Sequence, residues 1–209
     1  MESFWEERYR AEGKIWGDAP SPTALHAIRL FQKAGFRRVL VPGSGYGRNA
    51  AAFARAGFDV TGVEYSGTAV RIARGTSPSI RYCHGSVLDP LPADQPYDGI
   101  YCFNVLHLFR AGDRDRFLRN CREVTRTGGG MFFVVFSEQD KSFGQGRETE
   151  KDTFESRPGR EVHYFTRDGL LAAFAGTDIL SEGLVGEEED HGDEGRHTHL
   201  LRYVCARKR

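Results

Sequence analysis

RRVLVPGSGYGRNAAAFARAGFDVTGVEYS, residues 37–66, decides the fold. The apolar run at 38–41 reads as a buried strand. Gly43, Gly45 and Gly47 follow it. Next comes an alanine-rich segment that stops at Gly57, as a helix would. A second apolar run then ends on Glu64. Strand, bare loop, helix and strand in that order open a doubly wound α/β sheet. Ligands of such sheets sit beyond the carboxyl ends of the strands, where glycine lets the backbone turn tightly and approach closely. The G-x-G-x-G spacing brings the third glycine one residue earlier than in the dinucleotide fingerprint. Glu64 stands about twenty residues past the first glycine, where a carboxylate can accept both hydroxyls of a ribose.

The alternation continues outward. DVTGVEY (59–65), SIRYC (79–83), YDGIYCF (97–103) and GMFFVVF (130–136) read as strands, several apolar nearly throughout, as a sheet covered on both faces requires. SGTAVRIARG reads as a helix ending at Gly75. DRDRFLRNCREV reads as another, with Asp113 as its N-cap and Phe117, Cys121 and Val124 on one face. Before the core, SFWEERYRAEG places Trp5 and Tyr9 one turn apart, and SPTALHAIRLFQKAG carries a second apolar face. After the core, residues 138–160 are polar and read as one long loop, a lid or binding segment. EVHYF reads as extended, and Thr166 caps a short helix. DILSEGLVG and HTHLLRYVCAR then read as an antiparallel hairpin across EEEDHGDEGR. The expectation is a single domain over 1–209: a helical cover (1–36), a cofactor-binding core (37–136), and an acceptor-side loop, helix and hairpin (137–209).

Lys plus Arg and Asp plus Glu number 29 each, so the basic excess of a nucleic-acid binder is missing. The four cysteines form no C-x-x-C pair and read as free thiols of a reducing compartment. The charged N-terminus does not read as a secretory signal, and no apolar run approaches ~18 residues, so a cytoplasmic protein without a membrane contact is expected. Monomer and homodimer both remain open. His191, His197 and His199 sit among acidic residues, but the turn and strand pattern there argues against a metal, and none is expected.

FWEERYRAEGKIWGDAPSP followed by VPGSGYGRNAAAFARAGFDVTGVEYS resembles class I S-adenosylmethionine-dependent methyltransferases, in particular the small-molecule enzymes of the tellurite-resistance and thiopurine type. The resemblance covers residues 4 to about 136. It implies a Rossmann-like seven-stranded sheet, mostly parallel, with an antiparallel C-terminal hairpin strand and helices on both faces. It implies S-adenosylmethionine as cofactor. Gly43 and Gly45 would lie against the methionine portion, Glu64 would hold the ribose, and Tyr65 would flank the adenine. Ser86 and Val87 stand where the family contacts adenine, Ser86 replacing a frequent aspartate. Asn104 would lie near the sulfonium; apart from the resemblance, Trp5, Tyr9 and Trp16 offer aromatic faces to cover it or to line the acceptor pocket. Pro42 replaces a frequent acidic residue.

Methyl transfer from a sulfonium is an in-line displacement onto a small-molecule S, Se/Te, N or O nucleophile, and alignment is its main requirement. Tyr9, His107, His163 and Tyr164 are the acceptor-side candidates. No residue is assigned as the catalytic base. The alternatives are a nicotinamide-dependent oxidoreductase and a non-catalytic module that binds an adenosyl ligand.

Overall fold

A computed structural model describes residues 2–190 and 196–209. Two helices come first, α1 (Glu2–Glu12) and α2 (Pro22–Lys33). The core alternates β1 (Arg38–Pro42), α3 (Arg48–Arg55), β2 (Asp59–Glu64), α4 (Gly67–Thr76), β3 (Arg81–His84) and β4 (Tyr97–Phe103). A 3-10 turn (Leu106–Leu108), α5 (Ala111–Val124) and β5 (Thr125–Phe136) complete it. Then follow β6 (Arg147–Glu150), β7 (Thr153–Arg157), β8 (Arg160–His163), α6 (Arg167–Ala173), β9 (Thr177–Asp190) and β10 (Arg196–Lys208).

Seven strands form one sheet in the order β3-β2-β1-β4-β5-β10-β9. The first five are parallel, and β10 enters antiparallel between β5 and β9. The apolar runs explain the burial. Successive side chains of a strand face opposite ways, so a strand covered on both sides must be apolar at every position. Phe132 packs with Phe31, Phe53 and Tyr101 on one face, and its neighbour Phe133 packs with Phe117, Leu118 and Phe174 on the other. Chain reversal between β1 and β4 puts the switch point of the sheet at the carboxyl end of β1, beside the glycine loop.

The helix ends follow local chemistry. Ser21 accepts from the N–H of Thr23 at the start of α2, with Pro22 at the first helical position. Ser66 caps α4 through Ala69 N–H, and Thr166 caps α6 through Gly169 N–H, as its sequence indicates. Two expected ends move. The N-cap of α5 is Arg110, without a side-chain cap, and Asp113 falls inside the first turn, where it favours the positive end of the helix. Helix α4 runs through Gly75 to Thr76.

Residues 138–160 are not a bare loop. They contain β6 and β7 and lead into β8, which together form a three-stranded antiparallel sheet. Its strands carry no apolar alternation to betray them. Cross-strand Arg147–Glu155 pairing at 2.8 Å and the covering of Phe154 and Val162 hold it instead. The acidic stretch 187–196 is less of a turn than expected, since β9 continues to Asp190 and β10 starts at Arg196. His191, one of the histidines weighed for a metal, lies outside the described residues.

Asp140 fastens this excursion to β10. Its buried carboxylate accepts from Leu200 N–H at 2.6 Å, from Ser142 N–H at 2.9 Å and from the Ser142 hydroxyl, and it faces His199 Nδ1 at 3.2 Å. Burial opposes its charge, but these donors outweigh burial and hold the carboxyl below its ordinary range. Asp140→Ala should therefore lower stability by about 3 kcal/mol or more, read as a fall in the urea midpoint. In the wild type this contribution is present above the unfolded carboxyl pKa of about 3.9 and is lost as pH falls below it.

Candidate active site

The carboxyl ends of β1, β2 and β4 open into one cavity of about 1230 Å³. The glycine loop forms its floor. Gly43 and Gly45 have φ of 66° and 54°, the left-handed region that glycine enters freely. A Cβ on Gly43 would collide with the side chain of Val105, and one on Gly45 would stand 2.7 Å from Tyr9 Oη. The loop is bare because two neighbours press on it.

Glu64, 7% exposed, ends β2 under this loop. Its Oε2 accepts from Gly45 N–H and its Oε1 from Ser66 N–H, both at 2.8 Å. Burial still pushes its carboxyl up, against those two N–H groups. Each oxygen retains a lone pair, so further donors would be welcome there. Tyr65 is exposed at the rim, and its carbonyl is 2.8 Å from His84 Nε2. Ser86 uses its hydroxyl to accept from Leu88 N–H at 3.2 Å, closing its own turn. Val87 is buried, and Asn120 Nδ2 donates to its carbonyl at 3.1 Å and to that of Asp89 at 2.9 Å. Asn104 adopts φ 56°, unusual for a residue with a side chain, and its buried Oδ1 has no hydrogen-bond partner.

The N-terminal segment roofs the cavity. Trp5, Tyr9, Trp16 and Tyr46 form an aromatic cluster, with Trp16 and Tyr46 stacked at 6.3 Å and 13°. Tyr46 Oη donates to Gly17 O at 2.7 Å and accepts from Trp16 N–H at 3.0 Å. Arg48 donates to Ala19 O at 3.1 Å, and Asn49 Oδ1 accepts from Ser21 N–H at 2.9 Å. Tyr46, Arg48 and Asn49 thus hold residues 16–21 as a strap. Glu6 adds a second anchor. It accepts from Ser66 Oγ, Thr68 Oγ1 and Thr68 N–H at the start of α4, and these bonds bring its carboxyl down to about 2.

Trp16, Gly43, Gly45, Glu64, Tyr65, Ser86, Val87, Asn104, Tyr9 and His107 all line the cavity. His163 and Tyr164 do not. His163 Nδ1 is 2.9 Å from Thr153 Oγ1, and its ring borders a separate hollow of about 310 Å³ with Arg114 and Leu118. Tyr164 is buried and donates to Ser142 Oγ at 2.8 Å. Alternation along EVHYF turns these two residues opposite ways: Tyr164 packs on Phe136 of β5, and His163 faces the hollow beside α5 and α6. Reading the loop for its glycines alone left Tyr46, Arg48 and Asn49 unassigned, although the G-R-N spacing marked them. Arg160 and Phe136 also line the cavity, and no local signal in the sequence identifies them. Among the described residues no group of three or more His, Cys, Asp and Glu is placed to hold a metal ion. His197 and His199 face each other, with Nε2 atoms 3.2 Å apart.

The family model for the methyltransferase domain matches residues 39–129, the stretch that builds the glycine loop and its sheet. These residues are similar to a methyltransferase domain. The chain is 30% identical over 152 residues to a ubiquinone biosynthesis O-methyltransferase of Bordetella avium, an alignment covering 66% of this chain and 62% of that protein. It therefore spans less than two thirds of that curated relative's length. TehB from Haemophilus influenzae superposes with a TM-score of 0.68 at 18% identity, covering 100% of this chain and 67% of that one. A Burkholderia thailandensis 1,6-didemethyltoxoflavin-N1-methyltransferase gives 0.69 at 21% identity, covering 99% and 86%. The chain accordingly shares the fold of these two solved structures, and no helix among the described residues is long and apolar enough to cross a membrane.

Gly43→Ala should destabilise more than Gly57→Ala. Both force alanine into left-handed backbone, at about 1–2 kcal/mol, but only position 43 adds a collision. Thermal melts should show a drop of roughly 2–8 °C for Gly57→Ala and a larger one for Gly43→Ala. The domain should also be acid-labile. Burial, then Arg114, lowers His163 to about 4. The unfolded chain binds that proton near 6.5, so stability should fall as pH drops from about 6.5 toward 4, and a His163→Gln variant should flatten that slope.

Proposed function

We propose that the chain is an S-adenosylmethionine-dependent methyltransferase acting on a small-molecule acceptor through an S, Se/Te, N or O nucleophile. The observation that carries the proposal is the braced loop, in which a bare left-handed backbone lies directly against a buried carboxylate. The residues present fit the cofactor. Gly43 and Gly45 admit the methionine portion, Glu64 offers lone pairs to the ribose hydroxyls, and Tyr65, Ser86 and Val87 bound the adenine. Asn104 Oδ1, buried without a partner, waits for a donor near the sulfonium end. The cofactor when bound supplies an electrophilic methyl group on sulfur.

The protein's own contribution is alignment and exclusion of water. Holding a nucleophile in line is worth roughly 7–11 kcal/mol. The strap over residues 16–21 closes the site, and desolvation strengthens every polar contact inside. Trp16 and its aromatic neighbours offer a cationic centre about 0.5–2 kcal/mol of attraction. A cavity of about 1230 Å³ exceeds the ~300–1,000 Å³ of a single-ligand pocket, which favours two occupants. That spare volume argues against a passive adenosyl-binding module, and the early third glycine argues against a nicotinamide oxidoreductase.

The name of the Bordetella relative favours an oxygen nucleophile among those open here. We take residues 1–209 as one catalytic unit, a monomer or homodimer, in the reducing cytoplasm that four free thiols suit. Balanced charge speaks against a nucleic-acid substrate.

Glu64→Ala should weaken S-adenosylmethionine binding about 10- to 100-fold by calorimetry, the effect of losing a charged hydrogen-bond acceptor. Unchanged affinity in a folded variant would remove Glu64 from the site. Product mass after incubation with labelled cofactor and a panel of thiols, chalcogen oxyanions, amines and phenols tests the activity itself.

A further inference from the structure

We propose that His197 and His199 form a two-imidazole site for zinc or a like divalent metal ion that prefers nitrogen donors, with Asp140 orienting one of the two ligands. The inference is independent of the methyltransferase reading. His197 and His199 stand two residues apart on β10, so both side chains leave the same face of the strand. Their Nε2 atoms are 3.2 Å apart. Two nitrogens that each lie about 2.0–2.1 Å from one tetrahedral zinc stand roughly 3.4 Å from each other. The ring centroids are 4.8 Å apart, with the planes at 88°. The two nitrogens are thus nearer to each other than the rings are, and the ring axes converge. The strand already carries the two donors at the spacing that a shared cation needs.

Asp140 separates this pair from an ordinary contact along a strand. Its Oδ2 is 3.2 Å from His199 Nδ1. The carboxylate is held in its charged form by its other donors, so Nδ1 carries the proton and donates it. His199 is thereby fixed in the tautomer whose Nε2 holds a lone pair. A carboxylate on the far nitrogen also raises the basicity of a metal-binding imidazole. Without a metal, His197 Nε2–H donates to that lone pair. With a metal, His199 binds directly. His197 then moves its proton to Nδ1 and binds through Nε2, and neither ring changes its charge. Phe136 packs on His199 at 4.7 Å and restrains its rotation.

The surroundings favour a cation. Residues 187–190 of β9 are all acidic, and β9 pairs with β10 so that Glu189 stands opposite His197 and Glu187 opposite His199. Glu187 itself is engaged by Ser21 Oγ at 2.9 Å and by Arg48 at 3.6 Å, so it is not counted as a ligand. No third His, Cys, Asp or Glu completes the set among the described residues, and water fills the remaining positions. Imidazole donors select zinc, nickel and copper over magnesium and calcium. The strand pattern alone speaks against a metal here, because Asp140 lies 59 residues before His199 in the chain. When occupied, the site would clasp the start of β10 to the segment that leads from β5 to the small sheet.

The test uses the untagged full chain with zinc chloride, and with magnesium and calcium chlorides as controls. Calorimetry should show one equivalent of zinc bound and no uptake of magnesium or calcium. His197→Asn and His199→Asn should each weaken zinc binding by about 100-fold or more. Asp140→Asn should weaken it by about 10- to 100-fold, the effect of losing the partner behind a ligand. Copper(II) gives a reading on the wild type alone, which holds even where a variant does not fold. Its electron paramagnetic resonance spectrum should show coupling to two imidazole nitrogens. No saturable zinc uptake, unchanged uptake in either histidine variant, or a copper spectrum with fewer than two imidazoles would overturn the proposal. Zinc bound as tightly by folded Asp140→Asn as by the wild type would overturn the role given to Asp140.

Discussion

The site depends on one buried carboxylate. Glu64 is held by two backbone N–H groups, one from the glycine loop and one from the start of α4. A carboxyl so deeply buried prefers to be neutral, and its burial pushes it that way. The two N–H bonds oppose that preference and, in doing so, fix the loop and the helix start relative to each other. The group proposed to hold a ribose is thus the same group that shapes the loop. Stability and recognition meet in a single side chain.

The roof obeys the same economy of parts. Tyr46, Arg48 and Asn49 belong to the loop and the first turn of α3, yet they bind Trp16, Gly17, Ala19 and Ser21 of the strap. Floor and roof are therefore not independent bodies. Any displacement of the loop carries to the strap through hydrogen bonds to backbone, which do not depend on the strap's own side chains. Arg48 also reaches Glu187 of β9 at 3.6 Å, so the strap is tied to the far edge of the sheet as well.

Most of the sheet was legible because parallel strands buried on both faces must be apolar at successive positions, and RVLV, YDGIYCF and GMFFVVF are nearly so. The glycine loop and Glu64 were legible because their chemistry is local, bounded by one strand and one helix. The small sheet β6–β8 was hidden because charge pairs, not alternation, hold it. His163 and Tyr164 were misplaced for the same reason, since without the sheet their facing could not be read. Arg160 and Phe136 reach the cavity only through tertiary placement, which neither period nor propensity encodes.

The ribbon between β5 and α6 touches the cavity, among the described residues, through Arg160 alone. It is fastened elsewhere by Asp140 and Glu138 to β10, by Tyr164 to Phe136 of β5, and by Glu150 and Glu161 to the start of α5. An interchangeable insert of this kind separates two design problems. The half proposed to grip a nucleoside can stay constant while a different ribbon presents another tip residue. Preference for a new acceptor would then be reachable by swapping residues 137–166, with the parallel core left untouched.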